Sequence, residues 1–337
     1  GDDNRNVARM AALLAGIPDS VPAYTVNRLC ASGLTAVASA AQQIKAGEAD
    51  VVIAGGVESM TRAPWVMARP QAAWSKPSEI VDSSLGWRFV NPRMRDLDGG
   101  SATISLGETA ERVASLDGIT RTESDAFSIA SHRRAVEAID HGWLDRDIVP
   151  VHTPSGVVTV DEGPRRDTTM ERMASLKPSF LADGIVTPGS SSPLSDGAAA
   201  VVVASGEAVR RLGLTTRARI AGSASAGVQP SLMGLGPVPA TERLLARLGL
   251  SVDDIDAIEI NEAFAPQVLA CVRRLGLDEG TVNSWGGAIA IGHPLGCSGA
   301  RLLITLASRL EHTDAQRGLA TLCVGVGQGV SMVLDRE

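Results

Sequence analysis

Aromatic residues are scarce in this chain: five tryptophans, four phenylalanines and a single tyrosine make up 3% of its 337 positions. Acidic and basic residues are interspersed and the net charge is -7, so there is neither the stacking surface nor the basic stripe that nucleic acid requires. No apolar run approaches the length that spans a bilayer. Residues 1 to 16, GDDNRNVARMAALLAG, read as a capped amphipathic helix and not as a signal peptide. The four cysteines, Cys30, Cys271, Cys297 and Cys323, show no CxxC pairing, which argues against a disulfide framework or a zinc site and for reduced thiols. A soluble, cytoplasmic protein with no nucleic-acid or membrane partner is the expectation.

What is present is Ala, Val, Leu and Gly. An apolar fraction of 44% with 35 glycines suits close helix-on-sheet packing, an α/β composition, and the length suggests two or three lobes. Residues 1 to 59 alternate a helix ending near Gly16 and Pro18, a strand near 23 to 27, a helix over 32 to 46 and the strand DVVIAGG. Between about 60 and 189 the texture turns to loops rich in Trp, Pro, Arg and Asp, with one helix at 123 to 141 capped by Thr122, which we read as an inserted loop domain. Regularity returns with GAAAVVVAS. The division is then 1 to 59 with 190 to 215 as one half and 216 to 337 as the other. CASGLTAVASAAQQIKAGEADVVIAGG from Cys30 and CSGARLLITLASRLEHTDAQRGLATLCVG from Cys297 share an order: Ser-Gly helix start, helix, polar turn, strand. Two such units related by a pseudo-twofold would bring their helix starts together, with a site between halves.

Cys30, in NRLCASGL, stands where the helix from residue 32 begins. Unpaired N–H groups and the positive end of the helix macrodipole would lower its pKa and stabilise a thiolate. Taken alone, a free cysteine is more often a small buried hydrophobe, so partners elsewhere must decide. His132, His141, His152 and His312 lie in charged contexts and read as surface residues. His293, in WGGAIAIGHPLGCSGAR, sits on a turn held by Gly292, Pro294 and Gly296, which suits a group kept to orient or deprotonate something, or equally a satisfied core histidine. Cys323 ends the strand GLATLC beside VGVGQG, where glycines let a ligand approach; a strand follows, so a dinucleotide loop is disfavoured. Asn261 and Glu262, in IEINEAFA, read most simply as a helix cap, and Cys271 as core.

Together NRLCASG, NEAFA, GGAIAIGHPLGCSGAR and CVGVGQG resemble the thiolase family in order and separation, and the resemblance extends through GEADVVIAGGVESMTRAP, SPLSDGAAAVVVAS and MGLGPVPAT over essentially the entire chain. It implies two similar α/β halves with mixed sheets in a layered αβαβα arrangement plus the inserted loop domain. It also implies Cys30 as the nucleophile acylated by a 3-oxoacyl-CoA, His293 as its base, and Cys323 as the acid that protonates the acetyl-CoA enolate. Coenzyme A, deprotonated by His293, then removes the acyl group in a ping-pong cycle. Coenzyme A is a substrate, and no separate cofactor is implied. His293 and a water held by Asn261 would meet the enolate oxygen, and the N–H groups of Cys30 and Gly325 the tetrahedral oxyanion. Met233, Phe264 and Phe180 match positions that line the pantetheine or acyl channel. The family's oligomers suggest a homodimer or homotetramer.

SSLGWRFVNPRM at 83 to 94 and the opening GDDNRNVARMA resemble thiolases acting on 3-oxoadipyl-CoA in aromatic degradation, so Arg88 and Arg93 would meet a terminal carboxylate. A general acetyl-CoA acetyltransferase or a fatty-acid β-oxidation thiolase is the alternative substrate reading. A decarboxylating or chain-elongating condensing enzyme of the same superfamily, which would not need Cys323 with a NEAFA motif, a non-catalytic acyl-CoA-binding protein and a redox-sensing thiol protein are the rivals. Relatives carry several dozen residues before the GDDNRN-like segment, including a strand, so exposed sheet edges are expected. Relatives commonly have asparagine where this chain has Ser190 and Ser195, and Cys297 near His293 is a candidate oxidation site.

Overall fold

Side-chain capping organises the start of the chain. The computed structural model describes residues 4–70, 72–76 and 79–337, so the first three residues of the expected opening helix lie outside it. Asn6 accepts the Arg9 N–H and opens α1 (Val7–Leu14). The strand expected near 23 to 27 joins no ladder among the described residues. Side chains take its neighbourhood's carbonyls instead: Asn6 Nδ2 donates to Ala23 O at 3.0 Å and Arg9 to Val21 O at 2.6 Å. A tight turn (Leu29–Ala31) then leads into α2 (Ser32–Lys45) and β1 (Val51–Ser59).

The loop-rich region holds β2 (Trp65–Met67) paired antiparallel with β3 (Ile80–Asp82), α3 (Pro92–Asp96), α4 (Leu106–Asp117), α5 (Arg121–Asp140), the pair β4 (Val151–Thr153) and β5 (Gly156–Val158), and α6 (Met170–Ala174). The cap of α5 is Thr120 and not Thr122, because Thr120 and Glu123 form a reciprocal capping box. His132, on α5, is buried rather than on the surface, and its Nδ1 accepts the Arg165 N–H at 3.1 Å. Of its charged neighbours in sequence, Arg133 is exposed while Arg134 donates to Val282 O at 2.9 Å.

β6 (Asp196–Ala204) returns to pair antiparallel with β1, from Val51 opposite Ala204 to Ser59 opposite Asp196. After α7 (Gly206–Leu212) come β7 (Arg219–Gly227), α8 (Pro237–Leu248), β8 (Ala257–Ile260), α9 (Ala265–Leu275), α10 (Ala288–Ile291), α11 (Leu295–Thr313), β9 (Arg317–Val324) and β10 (Gln328–Asp335). The second sheet has the order β7-β10-β9-β8, antiparallel except between β8 and β9. It is a mixed sheet, and the architecture is α/β.

α2 and α11 lie side by side between the two sheets, and α8 covers the far side of the second one. The inner core joins Leu34 and Val37 of α2, Leu302 and Leu306 of α11, Ala54 of β1 and Leu322 of β9. The helices cross at glycines. A Cβ at Gly33 would lie 2.8 Å from Ala300 N, and one at Gly299 2.3 Å from Leu34 N, distances no side chain tolerates. These are corresponding positions of the repeated unit, so the pseudo-twofold passes through the crossing. Behind it Arg309 of α11 donates to Ile258 O at 2.8 Å and pairs with buried Glu259 at 2.5 Å, fixing β8 against the helix. The other face of the first sheet carries Val51, Ile53, Val57 and Val202, all exposed, with no helix over them among the described residues.

Candidate active site

The turn before α2 is held by Ser32, whose hydroxyl donates to Leu29 O at 2.7 Å and accepts the Arg28 N–H at 2.9 Å. Leu29 takes a left-handed φ of 47°, a conformation that disfavours L side chains, and so aims the next residue. That residue is Cys30. It is buried, and the backbone N–H of Gly325 and its own N–H face its sulfur. The expected low-pKa thiolate is corrected here: desolvation pushes the thiol up to about 11 against those two donors, with the Glu58 carboxylate adding to the rise. Taking a thiolate out of water outweighs what the two N–H donors supply.

Gly325 lies in the three-residue turn between β9 and β10. A Cβ on it would stand 3.2 Å from Leu29 Cδ1 and 3.3 Å from Trp87 Cη2, so a hydrogen here lets the backbone approach the thiol. Trp87 is itself fixed, its indole N–H donating to Ile104 O at 3.1 Å.

His293 bridges α10 and α11. Gly292 precedes it at φ 99°, which only glycine adopts readily. The imidazole is buried, with Nδ1 2.6 Å from Ser298 Oγ and Nε2 3.3 Å from Asn261 Nδ2. Burial, aided by the charge of Arg301, lowers its pKa to about 3, so the ring is neutral near pH 7.

Asn261 follows the end of β8, where its N–H donates to Thr321 O and carries the β8–β9 ladder one residue further. The cap reading of Asn261 and Glu262 is overturned: α9 starts at Ala265, and its N-terminal residue Phe264 makes no side-chain cap. Both are fully buried, Asn261 Oδ1 having no hydrogen-bond partner among the described residues. Glu262 accepts from Ser131 Oγ (2.7 Å), Asn283 Nδ2 (2.8 Å) and the Ile289 N–H (3.0 Å), tying the segment before His293 to the end of β8. Burial raises its pKa.

Cys323 lies on β9 opposite Gly329 and is buried with Met233, Ala263 and Phe264. Desolvation raises its pKa well above the ordinary thiol range, and Cys30 and Cys271 raise it further. Phe180 meets Phe264 edge-to-face at 6.0 Å, so the three expected channel residues surround the Cys323 side of the site. Arg88 is different: it is exposed and lines a surface cavity of about 580 Å³ with Val66, Met67 and Phe89. Its neighbour Trp87 is the residue that turns toward Gly325. Cys271 is core, as expected. Cys297 is buried and its thiol is pushed up to about 11, which corrects its reading as an oxidation site. Sequence reasoning missed Ser298, Trp87 and Leu29, and took Glu262 for a cap. Of the three missed, only Ser298, at a Ser-Gly helix start like that of Ser32, carried a visible signal.

This chain belongs to the thiolase family: residues 1–207 match the thiolase N-terminal domain and residues 214–336 the thiolase C-terminal domain. Within it, the chain is 52% identical to the 3-oxoadipyl-CoA/3-oxo-5,6-dehydrosuberyl-CoA thiolase of Escherichia coli (strain K12), over 100% of this chain and 85% of that protein. It is also 52% identical to a beta-ketoadipyl-CoA thiolase of Pseudomonas aeruginosa, covering 100% and 84%. Among solved structures, the Bacillus anthracis acetyl-CoA acetyltransferase superposes with a TM-score of 0.92 at 41% identity, over 99% of this chain and 84% of that one. Human mitochondrial 3-ketoacyl-CoA thiolase in complex with CoA gives 0.90 at 38%, over 98% and 82%. The chain is thus an acyltransferase with the thiolase fold. Among the described residues no helix is long and apolar enough to cross a membrane.

Proposed function

We propose that this thiolase cleaves 3-oxoadipyl-CoA with coenzyme A to succinyl-CoA and acetyl-CoA through an acyl group on Cys30. The observation that carries the reading is the grouping of a buried Cys30 against the Gly325 N–H, a neutral His293 paired with Asn261, and Cys323 among apolar side chains. The names of the relatives at 52% identity support the substrate.

With Cys30 near 11 and His293 near 3, the resting pair is thiol and neutral imidazole. The proton therefore moves to His293 as sulfur attacks C3, when the new alkoxide meets the N–H groups of Cys30 and Gly325. Collapse breaks the C2–C3 bond and leaves the acetyl-CoA enolate, whose oxygen is met by His293 and by a water on Asn261. Cys323 protonates C2, and the His293 imidazolium then passes its proton to the Cys323 thiolate, so the ring is neutral again when coenzyme A enters. Coenzyme A, deprotonated by His293, takes the succinyl group, and His293 returns that proton to the Cys30 sulfur. Over the cycle the CoA thiol loses one proton and the acetyl-CoA methyl group gains one, so the count closes.

Met233, Phe264 and Phe180 line the pantetheine or acyl channel in this reading. Arg88, which makes no ion pair among the described residues, meets the terminal carboxylate. The inserted domain runs from 60 to 189, and the enzyme works in the cytoplasm as a homodimer or homotetramer. Incubation with 3-oxoadipyl-CoA or acetoacetyl-CoA plus CoA tests this, with loss of the 3-oxo species followed and Cys30 acylation read by mass spectrometry. A folded protein showing neither adduct nor turnover would sink the enzyme reading. Equal turnover of both substrates would sink the narrower one, and an unchanged preference in Arg88→Ala would remove Arg88 as the selector.

A further inference from the structure

We infer that Ser298 is a positioning residue that fixes His293 as the Nδ1–H tautomer, leaving Nε2 bare toward the reacting groups. The inference rests on the proposed role of His293 as base. It follows from counting protons. The Ser298 hydroxyl has one hydrogen, and two groups lie within reach of its oxygen: Pro294 O at 3.0 Å and His293 Nδ1 at 2.6 Å. The carbonyl can only accept, and the hydroxyl is placed to donate to it as Ser32 donates to Leu29 O; with its hydrogen there, Oγ accepts from Nδ1–H.

The other ring nitrogen gives the same answer from a separate contact. Asn261 Nδ2, 3.3 Å from Nε2, is a donor, which suits an Nε2 that carries the lone pair. The opposite tautomer would require Ser298 to abandon Pro294 and the Asn261 amide to turn over. Ser298 is fully buried, so water does not compete for its hydroxyl.

The other half of the molecule repeats the arrangement with a backbone partner. Ser32, at the corresponding position of α2, donates its hydroxyl to Leu29 O and accepts the Arg28 N–H. Both serines donate to a carbonyl one turn back and accept from an N–H before their helix. In α2 that N–H belongs to the backbone, and in α11 it belongs to the imidazole. During the reaction Nε2 takes up and returns the proton while Nδ1–H stays on Ser298, so the ring need not flip.

The test is the ¹⁵N–¹H spectrum of the full chain labelled at histidine, at pH 7 without substrate, with His293 assigned by its loss in His293→Asn. The Nδ1–H pattern is expected. In Ser298→Ala the pattern shifts toward Nε2–H, and kcat falls about 10- to 100-fold with KM within about threefold of wild type. An Nε2–H pattern in the wild type overturns the inference, as does a folded Ser298→Ala enzyme with wild-type kcat. If Ser298→Ala does not fold, the wild-type spectrum decides alone. Failure of the thiolase reading is a separate result: no turnover of 3-oxoadipyl-CoA by the wild type, whichever tautomer it shows.

Discussion

α2 with β1 and α11 with β9 follow one plan, a Ser-Gly helix start, a helix and a strand, yet they reach different ends. The first unit supplies Cys30 from the turn before its helix. The second supplies His293 before its helix and Cys323 near the end of its strand. Their sheets differ as well. β9 and β10 are flanked by β8 and β7 and are almost wholly buried, whereas among the described residues β1 and β6 pair only with each other and alternate between the inner core and an exposed face. The chemistry thus hangs from two units that meet at the Gly33–Gly299 crossing. A repeated backbone plan fixes where helix starts fall, and the residues placed there divide the work.

The division of labour is the first thing to break. Cys30→Ala is expected to lower turnover by a factor on the order of 10⁶ and to abolish the acyl adduct. Cys323→Ala is expected to cost about 10²- to 10⁴-fold, the range for a lost acid-base group. Equal losses would mean that the two units do not split nucleophile from acid and base. The contrast between sheets comes next. Leu322→Ala, inside the core, should destabilise by about 2–5 kcal/mol in chemical denaturation. Val202→Thr, on the exposed face, should stay within about 0.5 kcal/mol. A large loss at Val202 would show that this face is covered in solution.

Cys30 and His293 should also respond at opposite ends of the pH scale. Unfolded, the Cys30 thiol ionises from its ordinary 9.0, but folded only near 11, so the unfolded chain releases its proton first and stability falls as pH rises through that window. Unfolded, His293 takes a proton below 6.5, but folded only near 3, so stability falls as pH drops from 6.5 to 3. Each slope is at most about 1.4 kcal/mol per pH unit. Denaturation across pH should show the alkaline slope reduced in Cys30→Ala and the acid slope reduced in His293→Asn. Unchanged slopes in both would mean that neither group is desolvated as described.

Much of the site was legible because its residues sit at ends of elements. A cysteine before a helix, a histidine on a glycine-rich turn and an Asn-Glu pair after a strand are local patterns, and the predicted helix at 32 to 46 is found at 32 to 45. The misses have a common cause. Thr120 was passed over for Thr122, although the Thr120–Glu123 spacing was there to read. Glu262 looked like a cap, yet its partners Ser131 and Asn283 come from distant segments. Arg88 drew attention by its charge, while its neighbour Trp87 turned inward.

The sequence by itself determined the family, the repeated helix-strand unit and the identity of the groups that do chemistry, because those depend on residue type and spacing. Tertiary structure alone decided their protonation. Whether Cys30 rests as thiolate or thiol depends on how much water the surrounding segments remove, and that desolvation outweighs the N–H groups of Gly325 and Cys30. Which nitrogen of His293 carries the proton depends on Ser298 and Asn261, five and thirty-two residues away, which only the folded chain brings to its two sides.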